Sequence, residues 1–199
     1  MDDAELLVRL REGDERAFVE LVRRYHESLV RVARYYVNSE ASAEDVAQDT
    51  WIAVLRGVER FEGRSSFKTW LFRILVNRAR TTGVKEHRVV PVDPLAAGPS
   101  VAAARFDQGG TWLQPPVPFS ETLEDALDRA PIVQLVRQSI ARLPATARVV
   151  VTLRDVEGLS TTEVAELLGL TEANVRVILH RSRARIRNEV EMATQTGPA

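Results

Sequence analysis

The densest chemistry in the chain lies near its end, where Arg176, His180, Arg181, Arg183, Arg185 and Arg187 follow Asn174. Guanidinium groups at this density suit a polyanion: they neutralise phosphates and can fork onto guanine edges in a major groove. A solvated basic helix is the plainer alternative. A second group, Phe61 to Arg80, mixes aromatics, cations and an amide. If Phe67 opens a helix, Phe67, Leu71, Ile74 and Leu75 bury, while Trp70, Arg73, Asn77 and Arg80 share another face. Such a face suits single-stranded or flipped bases, on which an aromatic stacks while arginines neutralise the backbone. The competing reading makes Trp70 core and leaves the cations solvated. A third group is acidic: a helix over 43–55 turns Val46, Thr50 or Trp51, Val54 and Leu55 inward and Glu44, Asp45, Gln48 and Asp49 outward. That outer face is either a docking site or plain solvated surface.

Each group needs an element to hold it. Ser160 or Thr161 can cap a first helix with Val164, Ala165 and Leu168 as its inward stripe, Gly169 allows a turn, and Thr171 can cap a second helix. This is helix-turn-helix spacing. On the second helix Val175, Ile178 or Leu179, Ser182, Ile186 and Val190 fall on one side and the cations project elsewhere. Upstream, helical spacing runs from Asp3 to about His87 without a proline, through Leu6, Leu7 and Leu10, then Phe18, Leu21, Val22 and Tyr25, then Leu29, Val32, Ala33 and Tyr36. Gly13-Asp14, Asn38-Ser39 and the run Glu62-Gly63-Arg64-Ser65-Ser66 supply breaks. Ser42-Ala43-Glu44-Asp45 reads as a helix start with acids in its first turn. The expectation is a bundle of about four helices.

Between Val89 and about Pro131 the character changes, with Pro91, Pro94, Pro99, Pro115, Pro116 and Pro118 alongside Gly98, Gly109 and Gly110. This predicts a linker or extended element, although Phe106, Trp112 and Phe119 make it too aromatic for a purely entropic spacer. Helical spacing returns with Ile132, Leu135, Val136, Ser139, Ile140 and Leu143, and breaks again at Pro144 and Glu157-Gly158. The whole reads as an all-α chain of two small helical domains, 1–88 and 131–199, joined by a proline-rich linker over 89–130.

Composition narrows the functions available. The formal net charge of -1 conceals segregated cationic and acidic segments, and it is local faces that bind nucleic acid. The chain has no cysteine, which excludes disulfides, thiolate metal sites and a cysteine nucleophile. His26, His87 and His180 are far apart, and neither a HExxH motif nor a glycine-rich phosphate loop is present, so no enzyme chemistry, metal or cofactor is expected. The acidic N-terminus is unlike a signal peptide, and no apolar run approaches the roughly 20 residues that cross a bilayer. A soluble cytoplasmic protein without membrane insertion follows.

Asp45-Val46-Ala47-Gln48-Asp49-Thr50-Trp51, then Phe61 to Asn77, then a tether, then Leu143-Pro144 and the run His180-Arg181-Ser182-Arg183-Ala184-Arg185 resemble, in order, the extracytoplasmic-function sigma factors of bacterial RNA polymerase. The resemblance implies that the first block binds core polymerase and the minus-10 promoter element, and the last block the minus-35 element, so that the protein directs promoter-specific initiation. It assigns Asp45, Gln48 and Asp49 to core polymerase. It assigns Glu62, Gly63, Arg64, Ser65, Ser66, Lys68, Trp70, Arg73 and Asn77 to minus-10 recognition and strand opening, and Asn174, Arg176, Val177, His180, Arg181 and Arg183 to minus-35 duplex DNA. It further implies an anti-sigma partner, whose identity no residue reveals, and a linker threaded through the polymerase cleft.

Two departures stand out. Val177 and Ile178 occupy positions where the family often has a small polar residue and a basic one, which predicts a missing cationic contact. Trp70-Leu71 stands where housekeeping sigma factors carry paired tryptophans, which predicts a weaker melting wedge. A stand-alone helix-turn-helix regulator is the alternative; it explains Ser160 to Arg187 but leaves the Phe61–Arg80 and Asp45 faces without purpose.

Overall fold

The computed structural model describes residues 1–87 and 130–195, and among them every regular element is helical. In chain order these are α1 (Asp3–Arg11), α2 (Glu15–Ala33), α3 (Glu40–Gly57), a 3-10 turn (Val58–Arg60), α4 (Phe67–Lys85), α5 (Ala130–Ala141), α6 (Ala145–Val151), a π-helical turn (Thr152–Val156), α7 (Thr161–Leu168) and α8 (Glu172–Gln195). They form two compact units. The described residues of the first are 1–87 and 152–172, and those of the second are 130–151 and 173–195. The predicted linker over 89–130 lies outside the described residues, apart from the start of α5.

Capping chemistry explains where the first unit's helices begin. The Asp2 carboxylate accepts from the Glu5 N–H at 2.8 Å while the Glu5 carboxylate accepts from the Asp2 N–H at 3.1 Å, a reciprocal box that starts α1. Gly13, at φ +83, makes the turn into α2. Asp14 caps that helix from the Arg16 N–H at 2.9 Å and also accepts from Arg9 Nε at 2.8 Å, so one carboxylate ties the two helices. Side-chain hydrogen bonds from Arg9, then the backbone N–H of Arg16, hold the Asp14 carboxyl below its ordinary value. Helix α3 begins earlier than the sequence reading placed it, at Glu40 instead of Ser42. The Ser39 hydroxyl accepts from the Ser42 N–H at 3.0 Å, making Ser39 the cap and Ser42 a first-turn residue.

The bundle core collects Leu6, Leu7 and Leu10 of α1, Leu21, Tyr25 and Leu29 of α2, Val46, Trp51 and Val54 of α3, and Phe67, Leu71, Phe72, Leu75 and Val76 of α4. Trp51 meets Phe18 edge to face at 5.7 Å. Thr50, also buried, satisfies its hydroxyl on the Val46 carbonyl at 2.7 Å. The sequence reading turned Leu55 inward, but Leu55 is exposed. At 3.6 residues per turn it lies about 100° from Val54, past the edge of the stripe that Trp51 already marks. Ile74 likewise stands only half-buried, at the flank of a buried stripe that includes Phe72.

In the second unit, α6 follows Pro144 and buries Ala147, Val149, Val150 and Val151, with Ser139 and Leu143 buried just before it. Arg148 Nη2 donates to the Leu143 carbonyl at 3.0 Å, satisfying a group that Pro144 leaves outside a helical ladder. On α8, Val175, Ile178, Leu179 and Ser182 are buried, whereas Ile186 and Val190 are half-buried.

Candidate nucleic-acid interface

Helix α4 is set in place at its first residue. The Ser66 hydroxyl accepts from the Thr69 N–H at 3.0 Å, so the chain turns from the 62–66 loop straight into the helix. In that loop Gly63 takes φ +72, a conformation that favours glycine, and the exposed Glu62 and Arg64 pair with each other, Arg64 Nε donating at 2.6 Å. Arg11 of α1 fastens the approach to the loop by donating from Nε to the Val58 carbonyl at 3.1 Å and from Nη2 to the Phe61 carbonyl. Nothing in the sequence pattern pointed to Arg11, since its partners lie some fifty positions away.

Trp70 is half-buried. Its ring lies 4.9 Å from Phe61 and 6.0 Å from Phe67, and a Cβ placed on Gly57 would stand 3.3 Å from Trp70 Cζ2. The indole is therefore braced by two aromatics and by the side-chain-free end of α3, with part of its surface open. Trp70 therefore packs without being fully buried. Arg73 and Asn77 are exposed and Arg80 is half-buried, one turn apart along the same side of α4. Leu71 is wholly buried, so position 71 is core and offers no surface for a second wedge.

Several α4 side chains meet the segment 157–168, which belongs to the same compact unit. Lys68 Nζ lies 3.4 Å from Glu157 Oε2 and 5.9 Å from the Tyr25 ring centroid. The Thr69 hydroxyl donates to Glu163 at 2.5 Å, Arg73 Nη2 to Glu166 at 3.0 Å, and Arg80 Nη2 to the Leu168 carbonyl at 3.0 Å. Burial pushes the Glu163 carboxyl up, but the Thr69 hydroxyl and the backbone and hydroxyl of Ser160 outweigh it and hold the group below its ordinary value. Lys68, at the head of α4, thus has a buried carboxylate as its neighbour.

Helix α7 starts on a Ser160–Glu163 capping box and ends at Gly169, whose φ of +70 closes it in the left-handed conformation. Of the two capping candidates it is Ser160 that caps. Val164, Ala165 and Leu168 are buried as the stripe required, joined by Leu167. Two residues of turn then lead into α8. There Arg176, Val177, His180 and Arg183 are exposed and Asn174 and Arg181 half-buried, while Ile178 and Leu179 both bury. The departure at 177 and 178 thus divides: Val177 is on the surface and Ile178 is in the core.

On α3, Asp45, Gln48 and Asp49 are exposed. Glu44 is half-buried, with its carboxylate 2.9 Å from His26 Nε2, and Asp49 stands 3.5 Å from Arg78 Nη1. Ile52 and Leu55 are also exposed, at 45% and 46%, and continue the Gln48 flank at helical spacing.

Two family models match the chain. Residues 21–88 match the model described as Sigma-70 region 2, and residues 134–186 match Sigma-70, region 4. A curated relative, the ECF RNA polymerase sigma-E factor of Haemophilus influenzae, is 32% identical over 96% of this chain and 96% of its own length. The chain belongs to the ECF sigma factors of RNA polymerase.

Solved structures agree on the fold. CnrH, in complex with the cytosolic domain of CnrY, is 24% identical, with a TM-score of 0.55 over 98% of this chain and 99% of that one. The sigma factor RpoE, in complex with the anti-sigma factor NepR from Bartonella quintana, is 21% identical, with a TM-score of 0.57 over 87% and 96%. As an ECF sigma factor the protein directs RNA polymerase to promoters and is not an enzyme; catalysis of RNA synthesis belongs to the polymerase. Among the described residues, no helix of this sigma factor is long and apolar enough to cross a membrane, and no group of three or more His, Asp or Glu could hold a metal.

Proposed function

We propose that this sigma factor divides its work between a domain at 1–88, which binds core polymerase and the minus-10 element, and a domain at 131–199, which binds the minus-35 element, with 89–130 as the linker. The observation that carries the reading is the α4 face. A braced but part-open indole stands beside the exposed Arg73 and Asn77. That combination suits an unpaired base stacked on an aromatic, with its backbone neutralised by a cation. Glu62, Gly63, Arg64, Ser65, Ser66 and Lys68 complete the minus-10 surface at the head of the helix. Asn174, Arg176, Val177, His180, Arg181 and Arg183 form the minus-35 reader on the solvent side of α8.

Asp45, Gln48 and Asp49 form the contact with core polymerase. The exposed Ile52 and Leu55 beside them support this use, because acids interleaved with exposed aliphatics suit a protein partner and repel a phosphate backbone. An anti-sigma protein is a further partner in this reading. Support comes from the two solved structures with the same fold, of which the Bartonella quintana one contains an anti-sigma factor. The working compartment is the cytoplasm, where the polymerase acts. The test is permanganate footprinting of holoenzyme on a responsive promoter. Arg73→Ala and Asn77→Ala should reduce thymine reactivity around minus-10 while leaving protection at minus-35 in place. Undiminished reactivity in both variants would remove the minus-10 assignment.

A further inference from the structure

The indole of Trp70 has three walls: Phe67 on its own helix, and Gly57 and Phe61 on the chain before it. Phe61 is the nearest ring, with its centroid at 4.9 Å and its plane tilted 36° to the indole. The stretch that supplies two of the three walls is where the backbone leaves regular helix. Helix α3 ends at Gly57, a 3-10 turn without a side-chain cap takes up Val58–Arg60, and Phe61 departs in an extended conformation. Carbonyls at a helix end lack intrahelical donors, so such a turn is held only as firmly as outside groups hold it. The angle of the indole depends on that hold.

Arg11 supplies it. Its Nε donates to the Val58 carbonyl at 3.1 Å and its Nη2 to the Phe61 carbonyl, so one planar guanidinium takes both ends of the turn at once. The arginine is itself anchored, as the last residue of α1, whose Leu6, Leu7 and Leu10 are buried. At the other end of α1, Asp3 accepts from Arg24 Nη1 at 2.6 Å and from the Tyr25 hydroxyl. Tyr25 in turn meets Phe67 at 5.9 Å, so the base that carries Arg11 and the third wall of the indole belong to one packed frame. Helix α1 nevertheless lies ahead of residues 21–88, the stretch that the Sigma-70 region 2 model matches. A single hydrogen bond to the bundle would only stabilise it. Two, to the carbonyls at either end of the turn that carries Phe61, fix the direction in which that ring meets Trp70.

We infer, on the reading of Trp70 as a minus-10 residue, that Arg11 is a positioning residue for strand opening: from α1 it sets the Gly57–Phe61 turn against which Trp70 is aimed, acting through Phe61 and not on DNA. Helix α1 is then part of the opening machinery, although its own side chains read no base.

Two measurements on the full chain test this role. The chain has three tryptophans, so Trp51→Phe with Trp112→Phe leaves Trp70 as its sole indole, and acrylamide quenching reads how open that ring is. In this background Arg11→Ala should raise the quenching constant by about twofold, as expected when a locally held segment loosens. Arg11→Lys keeps the charge but cannot take both carbonyls with one planar group, and it should fall between. Arg9→Ala is the control: it removes the 2.8 Å bond from the same helix to Asp14, leaves the turn alone, and should not change quenching. In holoenzyme with the natural tryptophans, Arg11→Ala should slow the appearance of permanganate-reactive thymines at minus-10 about fivefold while closed-complex binding is kept, and should add nothing to the defect of Trp70→Ala. Circular dichroism checks that each variant is folded. Unchanged quenching, an Arg9→Ala defect equal to that of Arg11→Ala, or Arg11→Ala and Trp70→Ala defects that multiply would each overturn the positioning role. If Trp70→Ala by itself still impairs opening, the minus-10 reading survives that loss. If Trp70→Ala leaves opening unchanged, the assignment of Trp70 to minus-10 falls and the role of Arg11 falls with it.

Discussion

Helices α4 and α8 are both basic and both carry proposed DNA contacts, yet they hold their cations differently. Helix α4 buries Phe67, Thr69, Leu71, Phe72, Leu75, Val76 and Ala79, so its proposed reading side is a narrow ridge whose first members are held by neighbours, Trp70 by Phe61 and Phe67 and Lys68 by Glu157, while the Arg73–Glu166 pair is half exposed. Helix α8 buries Val175, Ile178, Leu179 and Ser182 near its start and has no fully buried residue from Arg183 to Glu191. Much of its length is a surface helix whose register decides which cations face outward. Side chains that open single strands need close placement of an aromatic, and so they are embedded in packing. Side chains that grip a duplex groove need a rigid rod with the right periodicity, and one apolar stripe provides that.

The contrast has its largest consequence at neighbouring positions of α8. Ile178→Arg buries an unpaired charge and should lower unfolding stability by about 3 to 5 kcal/mol in a urea titration. Val177→Arg, one residue earlier and 44% exposed, should stay within about 0.5 kcal/mol of the parent and raise duplex affinity. Equal stability of the two variants would mean that Ile178 does not face the core and that α8 has a different register.

Trp70→Ala should cost about 2 kcal/mol of stability, less than a fully buried tryptophan, through loss of the Phe61 and Phe67 contacts. It should also reduce open-complex formation more than closed-complex binding. A fall in stability with both steps reduced equally would make Trp70 a packing residue only. On α8 the corresponding change is Arg176→Ala, expected to leave stability unmoved and to cost about 1 to 3 kcal/mol of minus-35 duplex affinity if the arginine reads a base. A phosphate contact would instead weaken all sequences alike and lower the salt slope by about one unit, so an affinity series against salt separates the two.

The smallest stability effect is expected on the acidic side of α3. Asp45→Lys with Asp49→Lys should change unfolding stability by no more than about 0.5 kcal/mol, as exposed charges do, while removing core polymerase from a pull-down. Loss of fold would place these carboxylates in the structure of the bundle instead of its docking face.

Much of this organisation is legible in the sequence because it is local. Helical spacing located Leu6, Leu10, Leu21, Leu29, Val164 and Val175 in the core, and the Ser160 and Gly169 punctuation bounded α7. The errors are of two physical kinds. At Leu55 and Ile74 a stripe was drawn one residue too wide, since periodicity gives a direction and tertiary packing decides its edges. At Ser42 an acidic first turn outweighed the better cap three residues earlier. What periodicity cannot supply is pairing at a distance: Arg11 with the Val58 and Phe61 carbonyls, or Glu157 with Lys68 and Arg31. The exposure of Ile52 and Leu55 beside the acidic face is of the same kind, because an aliphatic residue in a helix reads as core until the neighbours are known.

Whether two separate surfaces of this chain direct polymerase to promoters is decided by run-off transcription with core RNA polymerase and the chain on a library of genomic fragments. Initiation should depend on the chain and occur at start sites sharing two spaced motifs, with Arg73→Ala weakening the downstream requirement and Arg176→Ala the upstream one. The chain alone should give no tight shift on those fragments. A tight shift without polymerase, together with no chain-dependent transcript, would contradict the division of labour between α4 and α8 and describe a stand-alone regulator instead.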